Sequence, residues 1–206
     1  MGGRTTESLK SKTLPFRHLI VKLLAPKIYA ANERWNNLVA ATPRPFTLMV
    51  KSVFHGCEIV GAEIGVLRGD NSLSLLEELP LKCLYLIDPF GKYFDGVAYD
   101  NSGLYYETKE RLKNYPQVTF LRRTSAEAAD LISEPLDFVY VDGNHSYSFV
   151  KKDLEIYWSK IRKNGMLGGH DYVKNCVGVV KAVNEFASER KLELITVYPD
   201  WWFCKN

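Results

Sequence analysis

What most constrains the fold of this chain is a grammar that begins near residue 59, where apolar runs of strand length alternate with segments of helix length. The runs IVGAEIG (59–65), LYLIDPF (84–90), VTFLRR (118–123), DFVYVD (137–142) and MLGGHD (166–171) read as strands. Between them, 71–79, 103–114, 125–133, 147–162 and 177–189 read as helices. This alternation predicts an α/β domain, a mostly parallel sheet covered by helices on both faces. Two further runs, LELITVY (192–198) and WWFCK (201–205), leave no room for a helix, and Pro199-Asp200 marks a reversal between them. The sheet should therefore close on an antiparallel hairpin, an uncommon ending for such folds.

Two strands end on acids, Asp142 and Asp171. A β–α–β unit with the usual right-handed crossover brings both strand ends to one edge of the sheet. Paired strands lie about 5 Å apart. The two carboxylates should then face one cleft at a separation that a single divalent cation can bridge. Ligands of open α/β sheets bind along that edge.

The first strand runs into GAEIGVLRGDNS (61–72), which contains neither GxGxxG nor a P-loop GK[ST]. Gly65 at the turn permits close backbone approach to a ligand. Ser72 and the amides following Gly69 suit a carboxylate at a helix N-terminus. Glu63 suits a cationic or hydroxylated group and would repel a pyrophosphate. Asp88 ends the second strand, where Rossmann-like folds place an acid on ribose hydroxyls. Ser125 follows the third strand, at the place of an adenine contact or as N-cap of a helix from Ala126.

Composition removes other classes. The 206 residues suffice for one domain with a sizeable core, and a net charge of +3 is too mild to argue for nucleic acid. Cys57, Cys83, Cys176 and Cys204 form no zinc spacing and read as reduced, mostly core residues of a cytoplasmic protein. The most apolar stretch, 18–31, is interrupted by Lys22, Pro26 and Lys27, so no integral membrane span is expected. Residues 14–55 read as helices and 1–55 as an N-terminal extension, a cap or a homodimer contact, ahead of a domain over 56–206. The basic first 30 residues also fit an organelle presequence, and MGGRTT the loose myristoylation pattern. A basic helix lying on the domain fits them as well.

AEIGVLRGDNS, LIDPF, DFVYVDGNHSYSFVKKDLEIYW, GGHDY and GVVKAVNEF together resemble the class I S-adenosylmethionine-dependent methyltransferases. The nearest resemblance is to the branch of macrolide-sugar and other small-molecule O-methyltransferases, with catechol-type enzymes more distant. It covers roughly residues 56–206. It implies a Rossmann-like three-layer sandwich whose seven-stranded sheet has an antiparallel last strand. It also implies that Glu63 and Gly65 line the methionine part of S-adenosylmethionine, with Ser72 near its carboxylate and Gly69 among the cofactor-binding residues. Asp88 would hold the ribose, Ser125 would sit by the adenine, and Asp142 would face the donor from the next strand. In metal-dependent relatives the acids matching Asp142 and Asp171 hold Mg²⁺. His170 stands where relatives carry an acid, and an imidazole suits Mn²⁺, Fe²⁺ or Zn²⁺ better than Mg²⁺.

The implied reaction is methyl transfer to a hydroxyl of a small molecule, a sugar, phenol or other metabolite. His145, three residues past Asp142, can reach that hydroxyl, and an imidazole with a pKa of about 6.5 suits a base. Its rival role is to cap the helix near Tyr147 or pack beneath Tyr147. The Tyr-rich segment 91–107 reads as a lid over the cleft or as a surface loop. Two rival functions stand beside the methyltransferase: an NAD(P)-dependent oxidoreductase, and a non-catalytic module that binds an adenosyl ligand.

Overall fold

The computed structural model describes residues 43–95 and 97–206. The readings made for residues 1–42 (presequence, myristoylation signal, dimer contact) lie outside the described residues.

Seven strands form one sheet: β1 (Ile59–Ile64), β2 (Leu81–Ile87), β5 (Val118–Leu121), β6 (Leu136–Val141), β7 (Ile161–Gly169), β8 (Ile195–Val197) and β9 (Asp200–Cys204). Their order is β5-β2-β1-β6-β7-β9-β8, and only β9 runs antiparallel to its neighbours. The hairpin read at the C-terminus is therefore real, and its last strand inserts beside β7 instead of extending the sheet edge. The helices are α1 (Pro45–Val53), α2 (Asp70–Glu78), α3 (Leu104–Arg111), α4 (Ser125–Ala129), α5 (Tyr147–Lys160) and α6 (Val177–Arg190).

The central strands β1 and β6 are buried along their whole length, the pattern of parallel strands covered on both faces. Strand period two sorts their side chains. Phe138, Tyr140, Met166 and Trp202 point into the layer with α1 and α2. Val139, Val141, Leu167, Trp201 and Phe203 point into the layer with α5 and α6. Both tryptophans of the terminal strand are thus buried, one on each face.

The compact unit starts at Pro43 rather than at residue 56. The reason lies in α1: Phe46 is fully buried, its ring 5.2 Å from Tyr140 and 6.3 Å from Trp202. An arginine-proline start fixes where that helix begins, since Pro suits the first helical turn. The segment 91–107 also differs from a plain loop. It forms a two-stranded hairpin, β3 (Lys92–Asp95) with β4 (Val97–Asp100), and then α3.

The cysteines depart from the core reading. Cys57, in the connection before β1, and Cys204, at the end of β9, are exposed; Cys83 in β2 and Cys176 at the N-cap of α6 are half-buried; all are free thiols. Among the described residues no helix is long and apolar enough to cross a membrane.

Candidate active site

Strand order reverses between β1 and β6, and the crevice beyond their C-terminal ends is where α/β sheets take ligands. The parallel registers Ile64↔Val141 and Val141↔Gly169 bring the ends of β1, β6 and β7 level. Every acid singled out in the sequence falls at this rim. Asp142 and Asp171 lie just beyond their strands instead of closing them, on loops where their side chains can turn into the crevice.

The glycine turn is built on β1. Gly65 has φ +88°, and a Cβ there would meet the Asp142 carbonyl oxygen at 2.1 Å. Its freedom therefore serves the approach of two strand ends as much as room for a ligand. Glu63 is 1 % exposed and accepts hydrogen bonds from Asn71 Nδ2 (3.0 Å) and the Ser72 hydroxyl. Burial pushes its carboxyl up to about 7, against the pull of those two donors. Asn71 Oδ1, beside it, is buried with no partner. Gly69, left-handed at φ +73°, is the N-cap of α2.

Asp88 is spent on its own loop. It accepts from the amides of Val66 (3.0 Å), Leu67 (3.1 Å) and Phe90 (2.7 Å), tying the glycine turn to the end of β2. Ser125 opens α4 but does not cap it. Thr124 takes that role in a reciprocal capping box with Glu127, so the N-cap reading of Ser125 is corrected by one residue. The Ser125 hydroxyl donates to buried Asp153.

On the other side of Asp142 lies an acid–imidazole cluster. One ligand atom each from Asp142, His170 and Asp171 lie within 4.8 Å of one another. His170 Nδ1 is 3.2 Å from Asp171 and 3.8 Å from Asp142. The His170 amide donates to Val141 O and its carbonyl accepts from Trp201 Nε1, which fixes the backbone there. Asp171 has φ +60°, a left-handed conformation uncommon for a non-glycine residue and typical of functional sites.

His145 does not cap α5, whose N-cap is Ser146. Its ring is held between two carboxylates: Nδ1 is 2.6 Å from Asp95 Oδ2, and Nε2 is 2.8 Å from Asp171 Oδ2. The second contact is close without the alignment of a hydrogen bond, which leaves Nε2 formally unpaired. Asp171 first, then Asp95, raise the imidazole to about 9 against the effect of burial. Burial raises Asp171, but His145 and His170 outweigh it and hold the carboxyl well below its ordinary range.

Residues the sequence did not mark complete the picture. Asp95 comes from the β3 hairpin. Arg44 donates to Asp142 Oδ2 (2.9 Å) and to the Tyr140 hydroxyl (2.8 Å), which in turn donates to buried Asp200. Burial raises Asp142, opposed by Arg44 and His170. Arg44 carried one signal, its place between the prolines of TPRP ahead of α1. Asp95 was one of three acids, with Asp100 and Glu107, in an aromatic-rich stretch. Both act across long sequence separations that no local pattern reports.

The sheet order, with its switch point between β1 and β6 and its antiparallel β9, is that of the Rossmann-like methyltransferase fold. A family model described as a methyltransferase domain matches residues 62–172, more than half of the chain, and the chain belongs to that family. Among curated proteins it is 24% identical over 164 residues to uncharacterized protein R132 of Acanthamoeba polyphaga mimivirus, covering 72% of each. Among solved structures it is similar to the O-methyltransferase NovP, with TM-score 0.61 and 18% identity over 78% of this chain and 79% of that one. It is also similar to the N-methyltransferase NodS of Bradyrhizobium japonicum WM9 in complex with S-adenosyl-L-homocysteine. There the TM-score is 0.57 and the identity 13%, over 77% of this chain and 85% of that one. Acceptors on oxygen and on nitrogen share this fold, so the acceptor has to be argued from the site.

Proposed function

We propose that this enzyme transfers the methyl group of S-adenosylmethionine to a hydroxyl of a small molecule, a sugar, phenol or comparable metabolite, at a divalent cation held by Asp142, His170 and Asp171. One observation carries the reading. Two carboxylates and two imidazoles from separate strand ends converge beside the Gly65 turn, with His145 Nε2 facing the cluster.

The donor pocket fits its ligand on chemical grounds. Buried Glu63 and the unpaired Asn71 Oδ1 are two acceptors side by side, suited to the ammonium of a methionine moiety. The first amides of α2 suit its carboxylate, with Ser72 in that first turn. Asp88 holds the glycine turn in shape and Ser125 stands at the adenine end. When bound, S-adenosylmethionine supplies an electrophilic methyl carbon on a sulfonium sulfur.

The acid–imidazole set fits a divalent cation, and its one nitrogen favours Mn²⁺ or another first-row ion over Mg²⁺. When bound, such an ion lowers the pKa of a hydroxyl and fixes its position. Arg44 shares Asp142, so one carboxylate oxygen is already engaged by a fixed positive charge. His145 is charged while both acids flank it. A cation held by Asp171 would weaken the hold of the imidazole on its proton, and His145 Nε2 would then serve as the base. The acceptor oxygen gives its proton to Nε2 and takes the methyl carbon as the sulfur–carbon bond breaks, leaving adenosylhomocysteine.

The test is transfer of an isotopically labelled methyl group to a panel of phenols and polyols, with Mn²⁺, Mg²⁺ or a chelator. Labelled methyl ethers formed only with a cation are expected. Transfer confined to amines, or transfer to hydroxyls indifferent to chelation, overturns the reading.

A further inference from the structure

The β3–β4 hairpin inserted after β2 reaches the rim of the crevice through one side chain. It delivers one carboxylate, Asp95, to the loop that carries His145. Asp95 Oδ2 lies 2.6 Å from His145 Nδ1 and also accepts from the His145 backbone amide at 3.3 Å. Its other oxygen accepts from the Ser146 hydroxyl at 3.4 Å. The Asp95 side chain is 15% exposed and that of His145 36%, so the contact is partly shielded from bulk water. The far side of the same loop is braced by α6: a Cβ at Gly178 would meet the His145 carbonyl oxygen at 2.3 Å. The loop is thus held from two sides and the ring at Nδ1, with Nε2 directed to the cluster of Asp142, His170 and Asp171.

We infer that Asp95 is the positioning residue of the reaction: it accepts the Nδ1 proton of His145, fixes that tautomer and ring orientation, and so leaves Nε2 as the nitrogen that meets the acceptor hydroxyl. A neutral imidazole has one donor and one acceptor nitrogen, and which is which follows from the bond the other makes. A carboxylate can only accept, so Asp95 at Nδ1 decides it. Asp171 cannot serve in its stead, because it faces the nitrogen that must stay free. The inference rests on the proposed hydroxyl methylation, and it assigns to the hairpin a part in the chemistry.

The test reads the tautomer and the kinetics separately. Nitrogen-15 spectra of the full chain, labelled in its histidines and saturated with adenosylhomocysteine, are recorded at alkaline pH with the ring neutral; His145→Gln assigns the resonances. The wild type and Asp95→Asn, which keeps an acceptor, should carry hydrogen on Nδ1, and Asp95→Leu should lose that preference. A wild-type ring protonated on Nε2, or an unchanged Nδ1–H tautomer in Asp95→Leu, overturns the inference. In methyl transfer to a hydroxyl of the panel, Asp95→Leu should lower kcat roughly 10²–10³-fold with the KM for the donor unchanged. Added to His145→Gln it should cost nothing more. A further full loss in the double variant marks a merely structural role and overturns the inference. If the wild type methylates no hydroxyl at all, the proposed function fails, and the tautomer spectra alone then decide what Asp95 does.

Discussion

At the scale of single residues, the sequence showed what local pattern can show: acids that stop apolar runs and a glutamate inside a glycine turn. Asp142, Asp171, Glu63, Asp88 and His145 were visible because each sits at a fixed offset from a strand end. Asp95, Arg44 and Asp200 were not, since their partners lie across the fold and only burial gives them meaning. Glu63 yields a pH prediction. Its folded-state carboxyl is raised from an ordinary 4.5 to about 7, so the stability it contributes is fully present below 4.5 and lost as pH rises through 7. Relative to Glu63→Gln, the wild type should lose on the order of 3 kcal/mol across that window, read from urea unfolding at several pH values. Parallel curves for the two proteins would show that the carboxyl is not perturbed. Because an ammonium favours the ionised carboxylate, donor affinity should strengthen from pH 6 to 8 in the wild type and stay flat in the Gln variant, by calorimetry.

At the scale of elements, every βα unit read in the sequence exists, with ends displaced by a few residues. The strands that were longest in apolar residues were the easiest to read. The hairpin β3–β4 escaped because its strands are four residues each and lie off the main sheet, too short for an alternating pattern to stand out. The position of α1 in the core escaped because its apolar face gives no hint of which layer it joins. Phe46→Ala should destabilise the domain by roughly 3–5 kcal/mol, the cost of emptying a ring-sized site among Tyr140, Phe138 and Trp202. A loss below 1 kcal/mol would place α1 outside the cooperative unit. Gly178→Ala should act differently, pushing the backbone at His145: methyl transfer should fall at least tenfold while adenosylhomocysteine affinity holds. Equal losses in both would mean that the whole crevice has shifted.

At the scale of the molecule, topology decides between the classes that composition left open. The antiparallel β9 lodged between β7 and β8, together with an acid where a pyrophosphate would sit, sets this chain apart from a dinucleotide-dependent oxidoreductase. NAD(P) should accordingly give no thermal shift where adenosylhomocysteine gives one. Net charge and length could bound the class but could not locate the site, because convergence of residues more than a hundred positions apart is a property of strand order alone. The central claim is that acids from two strand ends share one cation beside the methyl donor. Its most direct measurement is Mn²⁺ titration of the full chain saturated with adenosylhomocysteine, followed by electron paramagnetic resonance. One ion bound per chain is expected, with binding abolished in Asp142→Asn and in Asp171→Asn while adenosylhomocysteine affinity is kept. No bound ion, or an ion that survives both substitutions, would contradict the claim.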